Sequence, residues 1–145
     1  MNVLACMRSN FTPCQLNDNA ESVALKMWKH QLKDFPIVDN EQNIIGIVTE
    51  SDICKYSVMK HKPIWEINIR DIYQHRDVYS CYQDDNSKTA LNILIRNRLQ
   101  WLSVINQQQQ FVGIIGLSDI ISKAKQSNII KFNPAYASKR LEFRT

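Results

Sequence analysis

At 145 residues the chain has room for one compact domain, which would bury about two-thirds of its unfolded surface. Its 44% apolar and 22% charged residues match globular averages and argue against disorder, and no apolar run reaches the roughly 18 residues that a membrane helix needs. A formal charge of +4, partly carried by Lys139, Arg140 and Arg144, suits a solvated surface that attracts anions; it is too mild to be a nucleic-acid signature.

The chain opens with Val3, Leu4 and Met7, an apolar face for one helical turn docked on the core. Phe11-Thr12-Pro13-Cys14 reads as a short extended piece, because Pro13 disfavours helix at Thr12. The polar cluster Asn17-Asp18-Asn19 suits a turn or an N-cap. Ala20, Val23, Ala24, Met27 and Trp28 then recur at helical spacing, predicting an amphipathic helix that ends near Lys33. Phe35 to Val38 and Ile44 to Val48 are expected as the strands of a hairpin around the polar turn 39–43. A helix from Asp52 to about Met59 follows, with Ser51 as its N-cap. Lys60 to Asn68, interrupted by Pro63, reads as a linker anchored by Ile64, Trp65 and Ile67.

The second half follows the same plan. Ile69 to Tyr73 matches the opening apolar turn, and Val78 to Tyr82 is an alternating strand. Ala90, Leu91, Leu94 and Ile95 form a helix face, Leu102 to Ile105 and Phe111 to Ile115 a second hairpin, and Ile120 and Ile121 open a last helix ending before Ser127. In the tail 127–145, Ile129, Ile130 and Phe132 suit an extra strand, and the rest a mobile or partner-contacting end.

Chemistry-bearing patterns are few. Cys6, Cys14, Cys54 and Cys81 show no C-x-x-C spacing, and His30, His61 and His75 do not cluster. With no signal-peptide pattern, the cysteines are expected as reduced thiols of a cytoplasmic protein. No paired carboxylates, Cys-His pair or Gly-rich phosphate loop appears, so a catalytic role is not indicated.

The informative feature is a repeat. Gly46-Ile47-Val48-Thr49-Glu50-Ser51-Asp52 returns as Gly113-Ile114-Ile115-Gly116-Leu117-Ser118-Asp119, with both the glycines and the aspartates 67 residues apart. That period is longer than a solenoid unit and fits two small α/β units, 1–59 and 69–126, joined by the linker 60–68. In each, a buried strand runs into a helix N-terminus, where free N–H groups favour anions and a carboxylate can accept ribose hydroxyls. The same residues also suit simple helix capping, and both readings stand at this level.

Two copies of β-α-β-β-α ending in this motif resemble a tandem pair of CBS domains, a Bateman module. The match rests on Phe35-Pro36-Ile37-Val38-Asp39 with Gly46 to Ile53, and on Leu102 to Asn106 with Gly113 to Ile120, and covers about residues 1–126. The resemblance implies two units packed through their sheets with pseudo-two-fold symmetry, leaving two clefts, often in a homodimer joined through helices. It implies no required cofactor, but as ligand an adenine nucleotide (AMP, ADP or ATP) or S-adenosylmethionine, with a separate effector protein as partner. Carried over by position, Thr49, Ser51 and Asp52 would hold ribose and the nearest phosphate in one cleft, walled by Tyr79 to Tyr82 and by Gln100, Trp101 and Leu102. Trp101 either stacks on a purine or fills the core. Ser118 and Asp119 would serve the other cleft, walled by Thr12, Pro13 and Leu32 to Phe35, including Lys33. There Gly116 stands where the family supplies a hydroxyl, which weakens that cleft by roughly 0.5–1.5 kcal/mol. Lys55 and Lys123 lie one turn past the two aspartates, either as phosphate partners or as ordinary exposed residues. A scaffold with vestigial clefts is the alternative.

Overall fold

The computed structural model describes residues 1–126, so the expectations for 127–145 fall outside it. The elements run α1 (Val3–Cys6), α2 (Ala20–His30), β1 (Asp34–Val38), β2 (Ile44–Thr49), α3 (Glu50–Lys60), a 3-10 turn (Ile64–Glu66), α4 (Ile69–Ile72), β3 (Ser80–Tyr82), α5 (Ser87–Arg96), β4 (Trp101–Ile105), β5 (Phe111–Gly116) and α6 (Leu117–Gln126). It is the mixed α/β arrangement of two repeats that the motif spacing implies.

The 67-residue period is written into the backbone as well as the side chains. Asn19 and Asn86 cap α2 and α5, each accepting an N–H from two residues on. Gln31 and Arg98 both take left-handed φ (57° and 53°), as do Gln42 and Gln109 (67° and 66°). The turn at Gln31 ends α2 at His30, three residues before the expected Lys33. Asp18 and Asp85 tie the turns before the two helices through the N–H groups of Gln15 and Tyr82.

The sheets are not equal. Strand β4 pairs antiparallel with β5 and parallel with β3, giving three strands, whereas β1 and β2 form a two-stranded hairpin. The expected strand at Phe11–Cys14 contributes one parallel bridge, Cys14 to Ile37. The counterparts of the paired Ser80 and Ser103 are Pro13 and Pro36, which have no N–H to give a ladder.

Each repeat completes the other. Val3 and Cys6 of α1 lie in the second core beside Cys81, Leu94, Val104 and Ile120, while Ile67, Ile69 and Ile72 lie in the first beside Met27, Phe35 and Ile37. Matching backbone bonds fix the exchange: Val3 and Leu4 N–H donate to Asp85 and Gln83 carbonyls, and Ile69 and Arg70 N–H to those of Asp18 and Leu16. Of the expected linker anchors, Ile67 is fully buried and Ile64 partly so. Trp65 is the exception, 63% exposed, because the 3-10 turn directs it outward while its carbonyl accepts from the Asn19 amide. Equivalent residues meet on the pseudo-two-fold axis: Trp101 Nε1–H donates to Asp34, 67 positions away, and Asn43 forms an antiparallel bridge with Gln110, also 67 away.

The cysteines are all free, and three of the four are buried. Burial pushes the Cys14 and Cys81 thiols up to about 12, and raises that of Cys6. Only Cys54 is exposed, so brief iodoacetamide treatment of the native protein is expected to label Cys54 and to reach the other three only in denaturant. Peptide mass spectrometry reads this directly.

Candidate functional site

The strand-to-helix junction begins two residues earlier than the motif suggested. Thr49, not Ser51, is the N-cap of α3: its Oγ1 accepts the Asp52 N–H at 3.0 Å, and Asp52 Oδ2 accepts the Thr49 N–H at 2.9 Å. This reciprocal pair is a capping box. Ser51 is left exposed in the first turn.

Asp52 is also claimed from the other repeat. Arg76, between α4 and β3, grips the carboxylate with two parallel bonds, Nη1 to Oδ2 at 2.6 Å and Nη2 to Oδ1 at 2.8 Å. The guanidinium holds the Asp52 carboxyl below its ordinary value; the Thr49 N–H acts in the same direction and partial burial opposes both. Arg76 is raised in turn by Asp52. A lowered carboxyl stabilises the fold fully above its unfolded value near 3.8, and that contribution disappears as pH falls through the lower folded value. Arg76→Gln should therefore lower the urea midpoint at pH 7, and its gap from wild type should narrow progressively as pH falls below 3.8.

The second motif repeats this arrangement with a hydroxyl missing. Asp119 Oδ2 accepts the Gly116 N–H at 2.7 Å and Arg8 Nε–H at 3.2 Å. With Gly116 in place of a threonine, the reciprocal side-chain bond is absent, and a Cβ there would lie 3.0 Å from the Gln100 carbonyl. Ser118 is exposed beside it. Each motif aspartate is thus held by an arginine from the other repeat, Arg76 on Asp52 and Arg8 on Asp119.

A cavity of about 400 Å³ opens beside the first of these pairs, lined by Asn43, Ile44, Ile45, His75, Arg76, Asp77, Val78, Ser80, Ile105 and Gln109. Of the anticipated Tyr79–Tyr82 wall it draws on Ser80 alone; Tyr82, Gln100, Trp101 and Leu102 do not line it, nor do Thr49, Ser51 and Asp52, which reach it only through Arg76. Trp101 is buried in the first core with its indole N–H on Asp34, so its faces are taken up by packing. Leu102 is fully buried in the second core, and Gln100 donates its amide to the Gln31 carbonyl. Around the second motif, Thr12 and Lys33 are exposed, Pro13 is half-buried, and Leu32 and Phe35 are core residues. Lys55 and Lys123 are exposed. Arg76 and Arg8 were missed because they lie outside the motif and are not 67 residues apart; the one available signal was a basic residue shortly after each short apolar turn.

A second surface lies on the helices of the first repeat. Trp28 is 81% exposed on α2, with Leu25 beside it, and Val58 and Met59 are exposed on α3. Between these helices runs a groove of about 280 Å³, lined by Ala24, Met27, Glu50, Ile53, Cys54, Ser57, Val58 and Ile64.

Comparison with known proteins assigns the fold. A family model described as the CBS domain matches residues 3–59 and again 69–125. The chain belongs to the CBS domain family. Among curated relatives, inosine-5'-monophosphate dehydrogenase of Methanocaldococcus jannaschii is 27% identical over 99 residues, 68% of this chain but 18% of that enzyme. An uncharacterised 17.7 kDa protein of Acidianus ambivalens is 26% identical over 106 residues, 72% of this chain and 61% of the relative. The chain therefore spans less than two-thirds of the curated relatives it matches. Among solved CBS structures, CBSX2 in complex with AMP superposes with a TM-score of 0.69 at 16% identity, over 88% of this chain and 98% of that one. The CBS domain pair of MJ0100, in complex with 5'-methylthioadenosine and S-adenosylmethionine, gives 0.62 at 22%, over 84% and 98%. Both likenesses are to the CBS pair fold.

Proposed function

We infer that this CBS pair is a non-catalytic regulatory module of the cytoplasm, binding an adenosine-containing nucleotide between its repeats and modulating a separate partner protein. The observation that carries the reading is Asp52, a motif carboxylate held from one repeat by Thr49 and from the other by Arg76, which itself lines a cavity formed by residues of both repeats. A ligand that engages this carboxylate acts on both repeats at once, and its differential affinity for two arrangements shifts the population between them. The adenosine ligands held in the similar CBS structures support the ligand class. The Asp52 cleft is the stronger one, since Gly116 offers no hydroxyl beside Asp119. The exposed apolar helices of the first repeat offer a surface for a second copy of the chain or for the effector.

Calorimetric titration with AMP, ADP, ATP and S-adenosylmethionine, beside Asp52→Asn, tests the reading. Micromolar binding that is lost in Asp52→Asn would support a sensor working through this cleft. If none of the four binds, the scaffold reading takes over, in which the apolar face around Trp28 and Val58 is the working surface.

A further inference from the structure

The aspartate that the family resemblance assigns to a ribose is already occupied. Asp52 spends both carboxylate oxygens on Arg76 and one of them also on the Thr49 N–H, so a ribose diol approaching it competes with a bidentate, charge-assisted pair. Arg76 is itself on the wall of the 400 Å³ cavity, with its side chain one-third exposed, and its remaining side-chain contact is a 3.4 Å bond to Gln74 Oε1. A guanidinium displaced from Asp52 has no second carboxylate among the described bonds, and it lines a ligand-sized space in which Asp77 is the one lining carboxylate.

A second observation lies on the strands behind this wall. Ser103 Oγ is fully buried without a hydrogen-bond partner, the one such side-chain atom among the described residues. Ser103 pairs with Ser80 across β3 and β4 and shares a strand face with Ile105, two residues on; Ser80 and Ile105 both line the cavity. Ser103 does not itself line the cavity, but its hydroxyl is a buried polar group with hydrogen-bonding capacity to spare, directly across the ladder from Ser80 of the wall.

We propose that Arg76 is a specificity-determining residue of this cleft, working by exchange: the ligand's ribose takes Asp52 while its phosphate takes the released guanidinium. The proposal rests on the adenosine-binding reading and narrows it. A ligand that displaces Arg76 without supplying an anion leaves the guanidinium unpaired in a half-buried position, so adenosine is disfavoured; S-adenosylmethionine brings one carboxylate but also an ammonium and a sulfonium, and its net positive charge beside the guanidinium disfavours it too. A nucleoside 5'-phosphate replaces one ion pair by another and is preferred.

The test is calorimetric titration of wild type and Arg76→Gln with adenosine, AMP and S-adenosylmethionine. Circular dichroism serves as the fold control, since Thr49 still caps α3 in the variant. Wild type is expected to bind AMP about ten- to hundred-fold more tightly than adenosine, the range of a charge-assisted hydrogen-bonded contact. In Arg76→Gln this preference should collapse, and adenosine should bind at least as tightly as before, because nothing now competes for Asp52. Equal affinities for AMP and adenosine in wild type would overturn the exchange and leave the adenosine reading standing. So would a loss in Arg76→Gln that is the same for all three ligands. Failure of all three to bind wild type would overturn the adenosine reading and the exchange together.

Discussion

Gly113→Ala is expected to lower the unfolding free energy by about 3 kcal/mol, the upper end of the usual cost of overpacking. A Cβ at this position would sit 2.4 Å from the carbonyl oxygen of Arg8 and 3.2 Å from its carbonyl carbon. Backbone cannot swing aside as a side chain can. Arg8 and Ile114 exchange two backbone hydrogen bonds here, at 2.8 and 3.2 Å, and the added methyl group must push them apart. Because that strip of chain also carries the guanidinium on Asp119, the variant should disturb the second clasp too. The equivalent glycine provides the control. At Gly46 the nearest atom to an added Cβ is Tyr73 Cε2 at 3.0 Å, a ring edge rather than backbone, so Gly46→Ala should cost about 1 kcal/mol. Urea unfolding of the two variants side by side checks the difference; equal midpoints would show that the Arg8 strip yields freely.

Phe35→Ala should cost about 3–5 kcal/mol, through lost transfer energy and a cavity that the surroundings fill only in part. Phe35 is fully buried, and its ring lies 4.9 Å from that of Phe11, which in turn packs at a tilt 4.7 Å from His30 and 6.0 Å from Phe111. Phe111 belongs to β5, so this cluster joins the repeats as well as filling one of them. For a domain of this size the loss corresponds to a fall in Tm of roughly 10–15 °C. Differential scanning calorimetry would measure it, and a fall of only a few degrees would mean that the cluster repacks around the gap.

Most of the architecture was legible because the chain states it twice. A weak pattern at one position gains force when the same pattern stands 67 residues away, as with Met27 and Leu94 or the two glycines. Where the copies diverge, legibility falls. Pro13 and Pro36 shorten the first sheet by removing N–H groups, which no apolar pattern announces. The α3 cap was displaced by two residues because Thr49 and Ser51 are both good capping types, and the register is decided by Asp52 reaching back to the Thr49 N–H. The site was less legible than the fold. Arg76 and Arg8 are ordinary surface-type residues until the crossing segments place them against the motif aspartates, a long-range juxtaposition that local spacing does not encode. Trp101 looked equally suited to stacking and to packing; Asp34, on the pseudo-two-fold axis, engages its N–H and ties it to the core.

The exchange of short helices between the cores sets an order for assembly during synthesis. The hairpin Asp34–Thr49 and the flanking α2 and α3 can form early, yet their core stays open until Ile67, Ile69 and Ile72 leave the ribosome. Val3 and Cys6 must wait longer still, because their seat is built from β3, α5, β4 and α6. Such distant closures slow folding, and leave unburied apolar surface on a growing chain. A gene cut within 60–68 would therefore yield two pieces that each lack a part of their own interior and hold the part the other needs. The two pieces would be expected to do better expressed together than apart.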